Sequence, residues 1–134
     1  MPRKTIDELL AEARARLRRL TPGEAAGAMA RGRLLVDTRS ADALRRDGTI
    51  PGALHVPRTV LEWRVDPSSG HQSPAIAGRE HDVILICEHG YSSSLAAATL
   101  HELGFTEATD VIGGFEAWAA DGLPVARAGD AIDR

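Results

Sequence analysis

Val83-Ile84-Leu85-Ile86-Cys87-Glu88-His89-Gly90-Tyr91-Ser92-Ser93-Ser94 decides the reading of this chain. Its first four residues are apolar and branched, a short run that suits a buried strand. A polar loop with a glycine follows, and then Leu95-Ala96-Ala97-Ala98-Thr99-Leu100 opens a helical pattern. The only cysteine of the chain, Cys87, therefore sits where a strand ends, a loop curls and a helix starts. Loop N–H groups and the positive end of a helix stabilise a thiolate and lower its pKa. Position alone leaves two alternatives open, a reactive thiol and a buried structural cysteine.

Working outward, short strands alternate with helices. Towards the N-terminus, Leu34-Leu35-Val36-Asp37 reads as a strand running into a loop, and Ser40 caps a helix from Ala41 to Arg46 that Gly48 ends. Ile50-Pro51-Gly52-Ala53 is a turn before a small strand at Leu54-His55-Val56. Val60, Leu61 and Trp63 give a short helix after Pro57. Residues 66–78 are polar and rich in Ser, Pro and Gly, the composition of a long loop. Towards the C-terminus, a helix from about Ser92 ends at Gly104, Asp110-Val111-Ile112 is a strand, and Gly113-Gly114 turns into a helix from Phe115 to Ala120. Alternation of this kind implies an α/β fold, a central parallel sheet flanked by helices on both faces. Ligands of such sheets bind outside the carboxyl ends of the strands, where Cys87 and Asp37-Thr38-Arg39 both fall.

Thr5-Ile6-Asp7-Glu8 and Thr21-Pro22-Gly23-Glu24 have the form of capping boxes that start two further helices. In the first, Ile6, Leu9, Leu10, Ala13, Leu17 and Leu20 recur at helical spacing, and Arg14, Arg16, Arg18 and Arg19 read as its solvated face. The second should stop at Gly32.

The chain has 134 residues, 43% hydrophobic and 26% charged, which suits one domain with one core. A net charge of −3 provides no field for nucleic acid. The longest apolar run is too short to cross a membrane, so neither nucleic acid nor membrane is an expected partner. The N-terminal residues have no apolar signal core, and one cysteine cannot form an internal disulfide, so a cytoplasmic location is expected. His55, His71, His81 and His101 have no metal-ligand spacing, and no metal or other cofactor is expected.

Four segments, in order, resemble the rhodanese-like family of single-domain sulfurtransferases. Leu35-Val36-Asp37-Thr38-Arg39 resembles its early strand with the Asp-x-Arg ending. Residues 48–57, Gly-Thr-Ile-Pro-Gly-Ala-Leu-His-Val-Pro, resemble its Gly-His-Ile-Pro-Gly-Ala segment. Residues 83–93 resemble its active-site strand and loop, and Gly113-Gly114-Phe115-Glu116-Ala117-Trp118 resembles its Gly-Gly-x-x-x-Trp segment. The resemblance implies a rhodanese-like domain over residues 32–126, an N-terminal helical extension over 1–31 packed on it, and a loose tail over 127–134. It implies sulfur transfer through a persulfide on Cys87, from thiosulfate or an organic or protein persulfide to cyanide or a thiol. Cys87 would be the nucleophile. Glu88, His89, Gly90, Tyr91, Ser92 and Ser93 would form the substrate-binding loop, with Asp37 and Arg39 supporting it.

Gly90 permits the backbone to curl, and successive inward N–H groups make an anion-binding nest. The serines offer caps and hydroxyl donors at the helix start. Glu88 puts a negative charge beside the thiol, and no Lys or Arg lies between Cys87 and Gly104, so a dianionic donor would draw on backbone N–H groups and on charges from elsewhere. A phosphatase of related fold needs Cys-x-x-x-x-x-Arg, and Ser93 stands at the arginine position. The remaining alternative is a sulfur carrier, or a sulfur-sensing or partner-binding module, with little turnover of small substrates.

Overall fold

The computed structural model describes residues 2–127; the tail expected over 127–134 lies, past its first residue, outside the described residues. The chain runs α1 (Ile6–Ala15), α2 (Pro22–Ala30), β1 (Leu34–Asp37), α3 (Ala41–Asp47), β2 (Leu54–His55), a 3-10 turn (Arg58–Val60), α4 (Leu61–Val65), β3 (Val83–Ile86), α5 (Ser92–Glu102), β4 (Thr109–Asp110) and α6 (Gly114–Ala120). The four strands form one parallel sheet in the order β2-β1-β3-β4. This is the expected α/β architecture, with an additional helix at the N-terminus.

Side chains of a strand point alternately to opposite faces, and here that alternation divides the core in two. Leu35, Ile84 and Ile86 face Ala25, Ala28, Val111, Phe115 and Trp118. Val36, Val83 and Leu85 face Leu61, Val65, Ala96, Ala97, Leu100 and Phe105. Both faces of β1 and β3 are thus covered, which is why these strands read as unbroken apolar runs. The alanines of α5 let that helix lie close to β3, so that its first turn is brought up against the end of the strand.

Both capping boxes form, Thr5 with Glu8 and Thr21 with Glu24. The first apolar pattern runs further than its helix. α1 stops at Ala15 and buries only Ala13, while Ile6 and Leu9 stay exposed. Beyond it the chain extends along β4: the Leu20 N–H donates to the Asp110 carbonyl at 3.0 Å, and the Ile112 N–H donates to the Leu20 carbonyl at 2.8 Å. Open backbone groups beside β4 thus take over residues that helical spacing alone would have kept in α1. Leu17 and Leu20 pack against opposite halves of the core.

Residues 66–78 are held rather than loose. The Ser73 N–H donates to the Arg64 carbonyl, the Gln72 side-chain amide donates to the Val65 carbonyl, and Ile76 is fully buried between α4 and the sheet. Trp118 is buried, and its indole N–H donates to the Pro124 carbonyl at 2.9 Å. His101 on α5 is half-buried, with Nε2 2.7 Å from the Ala108 carbonyl oxygen.

Candidate active site

Cys87 is the first residue beyond β3, at the carboxyl edge of the sheet, and is 6% exposed. The loop that follows packs on the start of α6, and glycines allow the approach. Gly114 has φ +62°, and a Cβ placed on it would lie 2.4 Å from the Cys87 carbonyl oxygen. Gly90 has φ +84°, and a Cβ placed on it would lie 2.8 Å from the Gly113 nitrogen. In return the first amides of α6 serve the loop: Phe115 N–H donates to the Cys87 carbonyl at 2.8 Å and Glu116 N–H to the Glu88 carbonyl at 3.1 Å.

With those carbonyls turned outward, amides point in. The Gly90 N–H donates to Cys87 Sγ at 3.2 Å and the Ser93 N–H at 3.4 Å. Burial pushes the thiol up, but hydrogen bonds from the Ser93 and Ser92 hydroxyls and from the Ser93 and Gly90 amides outweigh it and hold the thiol below its ordinary value. Alkylation of Cys87 by iodoacetamide is accordingly expected to titrate below the usual thiol range and to proceed readily at pH 7; a midpoint at or above that of a free thiol would contradict the geometry.

The serines do not act as caps. The N-cap of α5 is Tyr91, without a side-chain capping bond. Ser93 and Ser94 turn inward instead, and both hydroxyls donate to Asp110 Oδ2 at 2.7 Å. The fully buried Asp110 carboxylate draws them, since a buried charge must find donors. Ser93 Oγ also lies 3.2 Å from Sγ. Its single proton has two acceptors once the sulfur ionises, and Ser94 together with Arg19 keeps Asp110 satisfied if Ser93 turns to the sulfur.

Two arginines complete the site from the far end of the chain. Arg19 donates to both oxygens of Asp110, at 2.8 and 3.2 Å, and to the Gly90 carbonyl at 3.1 Å. Arg14 donates to the same carbonyl at 2.7 Å and to Ser94 Oγ at 3.1 Å. The reading of these residues as a solvated face is therefore corrected: Arg16 and Arg18 are exposed, but Arg14 and Arg19 are half-buried against the loop. Contacts across more than 70 positions leave no trace in helical spacing.

Of the other candidate residues, Gly90 and Ser93 are buried beside the sulfur, while Tyr91 and Ser92 are exposed. Tyr91 lies under the Arg14 guanidinium, 5.8 Å from ring centre to Cζ. His89 is exposed, with Nδ1 3.6 Å from Glu116 Oε1. Glu88 is half-buried, one carboxylate oxygen enclosed without a hydrogen-bond partner, and its charge reaches Arg46. Asp37 and Arg39 form a buried pair: Arg39 donates to Asp37 Oδ2 at 2.7 Å and to the Gly48 carbonyl at 2.9 Å, and its guanidinium stacks 3.7 Å above the Phe115 ring. Asp37→Ala leaves that guanidinium enclosed with its main counter-charge gone and is expected to lower stability by about 3–5 kcal/mol; urea unfolding within 1 kcal/mol of the parent would show that the pair is dispensable. No group of His, Cys, Asp and Glu able to hold a metal occurs among the described residues. Cavities of about 400 and 310 Å³ lie beside the N-terminal segment and are lined by neither Cys87 nor its loop.

A parallel sheet with a lone cysteine at a strand end, its loop amides turned inward, defines the class, and comparison with known proteins agrees. The family model for the rhodanese-like domain matches residues 21–121, and the chain belongs to this family. Thiosulfate sulfurtransferase GlpE of Pseudomonas savastanoi pv. phaseolicola is 33% identical over 103 residues, covering 77% of this chain and 88% of its own. Adenylyltransferase and sulfurtransferase MOCS3 of Oryza sativa subsp. japonica is 36% identical over 92 residues, 66% of this chain but only 20% of that protein. Among solved structures, RPA3614 of Rhodopseudomonas palustris CGA009, described as a protein of unknown function and possible tyrosine phosphatase, superposes with a TM-score of 0.82 at 32% identity, covering 93% of this chain and 98% of that one.

Proposed function

We propose that the protein is a sulfurtransferase in which the Cys87 thiolate carries sulfur as a persulfide. The observation that carries this reading is the pair of backbone amides aimed at Sγ by a loop whose carbonyls are turned away. Fixed N–H dipoles around a sulfur anion suit a nucleophile that must be a thiolate before transfer and a persulfide anion after it. In the first half-reaction Sγ attacks the outer sulfur of a donor such as thiosulfate. The new Sγ–S bond forms as the S–S bond to the sulfite portion breaks, and sulfite leaves with the electron pair. In the second, a thiol or cyanide attacks the outer sulfur and the Cys87 thiolate is released. The relatives named as sulfurtransferases support the same chemistry.

Phosphoryl transfer fits less well. The position six residues after Cys87, where a guanidinium would clamp the phosphoryl group, holds Ser93, committed to Asp110 and Sγ. Glu88, His89, Gly90, Tyr91, Ser92 and Ser93 border the transferred sulfur in this reading, and Asp37 and Arg39 brace the neighbouring strand end. A lone reduced thiol suits a cytoplasmic setting. None of the helices described is long and apolar enough to cross a membrane.

The test is the intact mass of the reduced protein after thiosulfate, then after cyanide. A gain of one sulfur that cyanide removes establishes transfer, and with one cysteine in the chain it also assigns the site. A gain that cyanide cannot remove points to a carrier that hands sulfur only to a protein partner. No gain from thiosulfate or from an organic persulfide refutes the reading. Because the Glu88 charge opposes a dianion at the loop, Glu88→Gln is expected to lower the thiosulfate KM about threefold while leaving kcat unchanged; an unaltered KM would mean that the carboxylate does not face the donor.

A further inference from the structure

We infer that Arg14 and Arg19 are positioning residues for the Cys87 loop: they pin the Gly90 carbonyl outward and thereby aim the Tyr91 N–H into the space above Sγ. The inference deepens the sulfurtransferase reading and rests on it for the nature of the anion held there. The peptide group is planar and trans, so the N–H of Tyr91 points opposite to the carbonyl of Gly90. That carbonyl accepts from Arg14 at 2.7 Å and from Arg19 at 3.1 Å, two charged donors on one oxygen, with Ser94 Oγ further off at 3.4 Å. The loop carbonyls of Cys87 and Glu88 are fixed by amides of α6, so at Gly90 side chains do what backbone does on the other flank.

The need for such a clamp comes from Gly90 itself. The residue that lets the loop curl, at φ +84°, also lets the following peptide rotate at little cost. A rotated peptide would present a carbonyl lone pair where a sulfur anion must sit. The same arginines tie the clamp to the hydroxyl network, Arg14 through Ser94 Oγ and Arg19 through Asp110. Both lie before residue 21, outside the stretch that the family model matches. The N-terminal segment is thus a working part of the site and not only a cover for α5.

The experiment follows Cys87 alkylation against pH, in low salt and in 1 M NaCl, for the parent, Arg14→Met and Arg14→Lys, with thermal unfolding alongside and sulfur uptake by intact mass. Loss of one charge-assisted hydrogen bond to the loop is expected to slow alkylation at pH 7 about fivefold and to raise the midpoint of the titration. The lysine variant should recover part of the loss. At 1 M salt the Debye length is only about 3 Å, so a through-space effect of the half-buried charge is reduced in so far as it passes through solvent, whereas a displaced peptide is unaffected. The other charged groups about the loop are common to all three proteins: Arg19 on the Gly90 carbonyl, Asp110 beneath the loop, Glu88 and His89 within it, Glu116 on α6, and Asp37 and Arg39 at the end of β1. A folded Arg14→Met protein that titrates like the parent, or a difference that disappears in salt, overturns the inference. Should the methionine variant fail to fold, Arg14→Gln, which keeps a neutral donor, must fall between parent and free-thiol behaviour or the inference fails. Absence of sulfur uptake by the parent would instead overturn the sulfurtransferase reading, while the alkylation series would still decide the role of the arginines.

Discussion

Replacing Cys87 by serine is expected to abolish sulfur uptake and all cyanide-dependent turnover, with the unfolding free energy within about 1 kcal/mol of the parent. The exchange keeps the shape of the side chain. A serine Oγ accepts from the Gly90 and Ser93 amides as readily as Sγ does, so the loop keeps its form. What is lost is the chemistry, because an alcohol is not ionised near neutral pH and oxygen makes no stable bond to a transferred sulfur. No second cysteine exists to take over. Transfer above background in this variant would end the persulfide mechanism. A variant that loses both transfer and its unfolding transition would mean that the thiol is a packing element first.

A single methyl group on the opposite wall should do almost as much damage. In Gly114→Ala, the new Cβ would stand 2.4 Å from the Cys87 carbonyl oxygen, 2.7 Å from the Gly90 nitrogen and 2.8 Å from the Glu88 carbonyl carbon. All three are backbone atoms, which cannot swing aside as a flexible side chain could, and φ of +62° is itself costly for alanine. The loop must move, and its amides move with it. Stability is expected to fall by about 2–4 kcal/mol and sulfur uptake to slow by about a hundredfold or more. Gly78→Ala is the control: it too has a positive φ, +78°, but nothing lies within 4 Å of the added atom. It should cost about 1 kcal/mol and leave transfer intact. Similar transfer rates in the two variants would show that the contact between α6 and the loop does not shape the site.

The sheet and the thiol were legible because each depends on residues adjacent in sequence. Val83–Ile86 is buried on both faces, so its apolar run has no interruption to mislead. The Thr5 and Thr21 caps each span four consecutive residues and form as written. Asp110 was missed because the sequence pattern sets it at the start of a strand over residues 110–112, whereas β4 is Thr109–Asp110 and Asp110 ends it, fully buried. Arg14 and Arg19 could not have been found that way. Their partners lie 71 to 91 residues distant, and what places them is the turn of the chain after Ala15 and its pairing along β4. The serines illustrate a local signal overruled, since good capping residues gave up the helix end to satisfy a buried carboxylate.

The pairing of Leu20 along β4 has a consequence for solubility. The two outer strands of the sheet, β2 and β4, are only two residues long, and the exposed side of β4 is occupied by the chain's own Leu20 bridge to Val111. Thr49 pairs with Ala126 in an isolated antiparallel bridge outside the four strands. Among the described residues, a second copy seeking to add a strand therefore meets only a two-residue edge at β2 and an occupied one at β4. The stretches with the strongest tendency to stack between molecules, Leu34–Asp37 and Val83–Ile86, are the two in the middle.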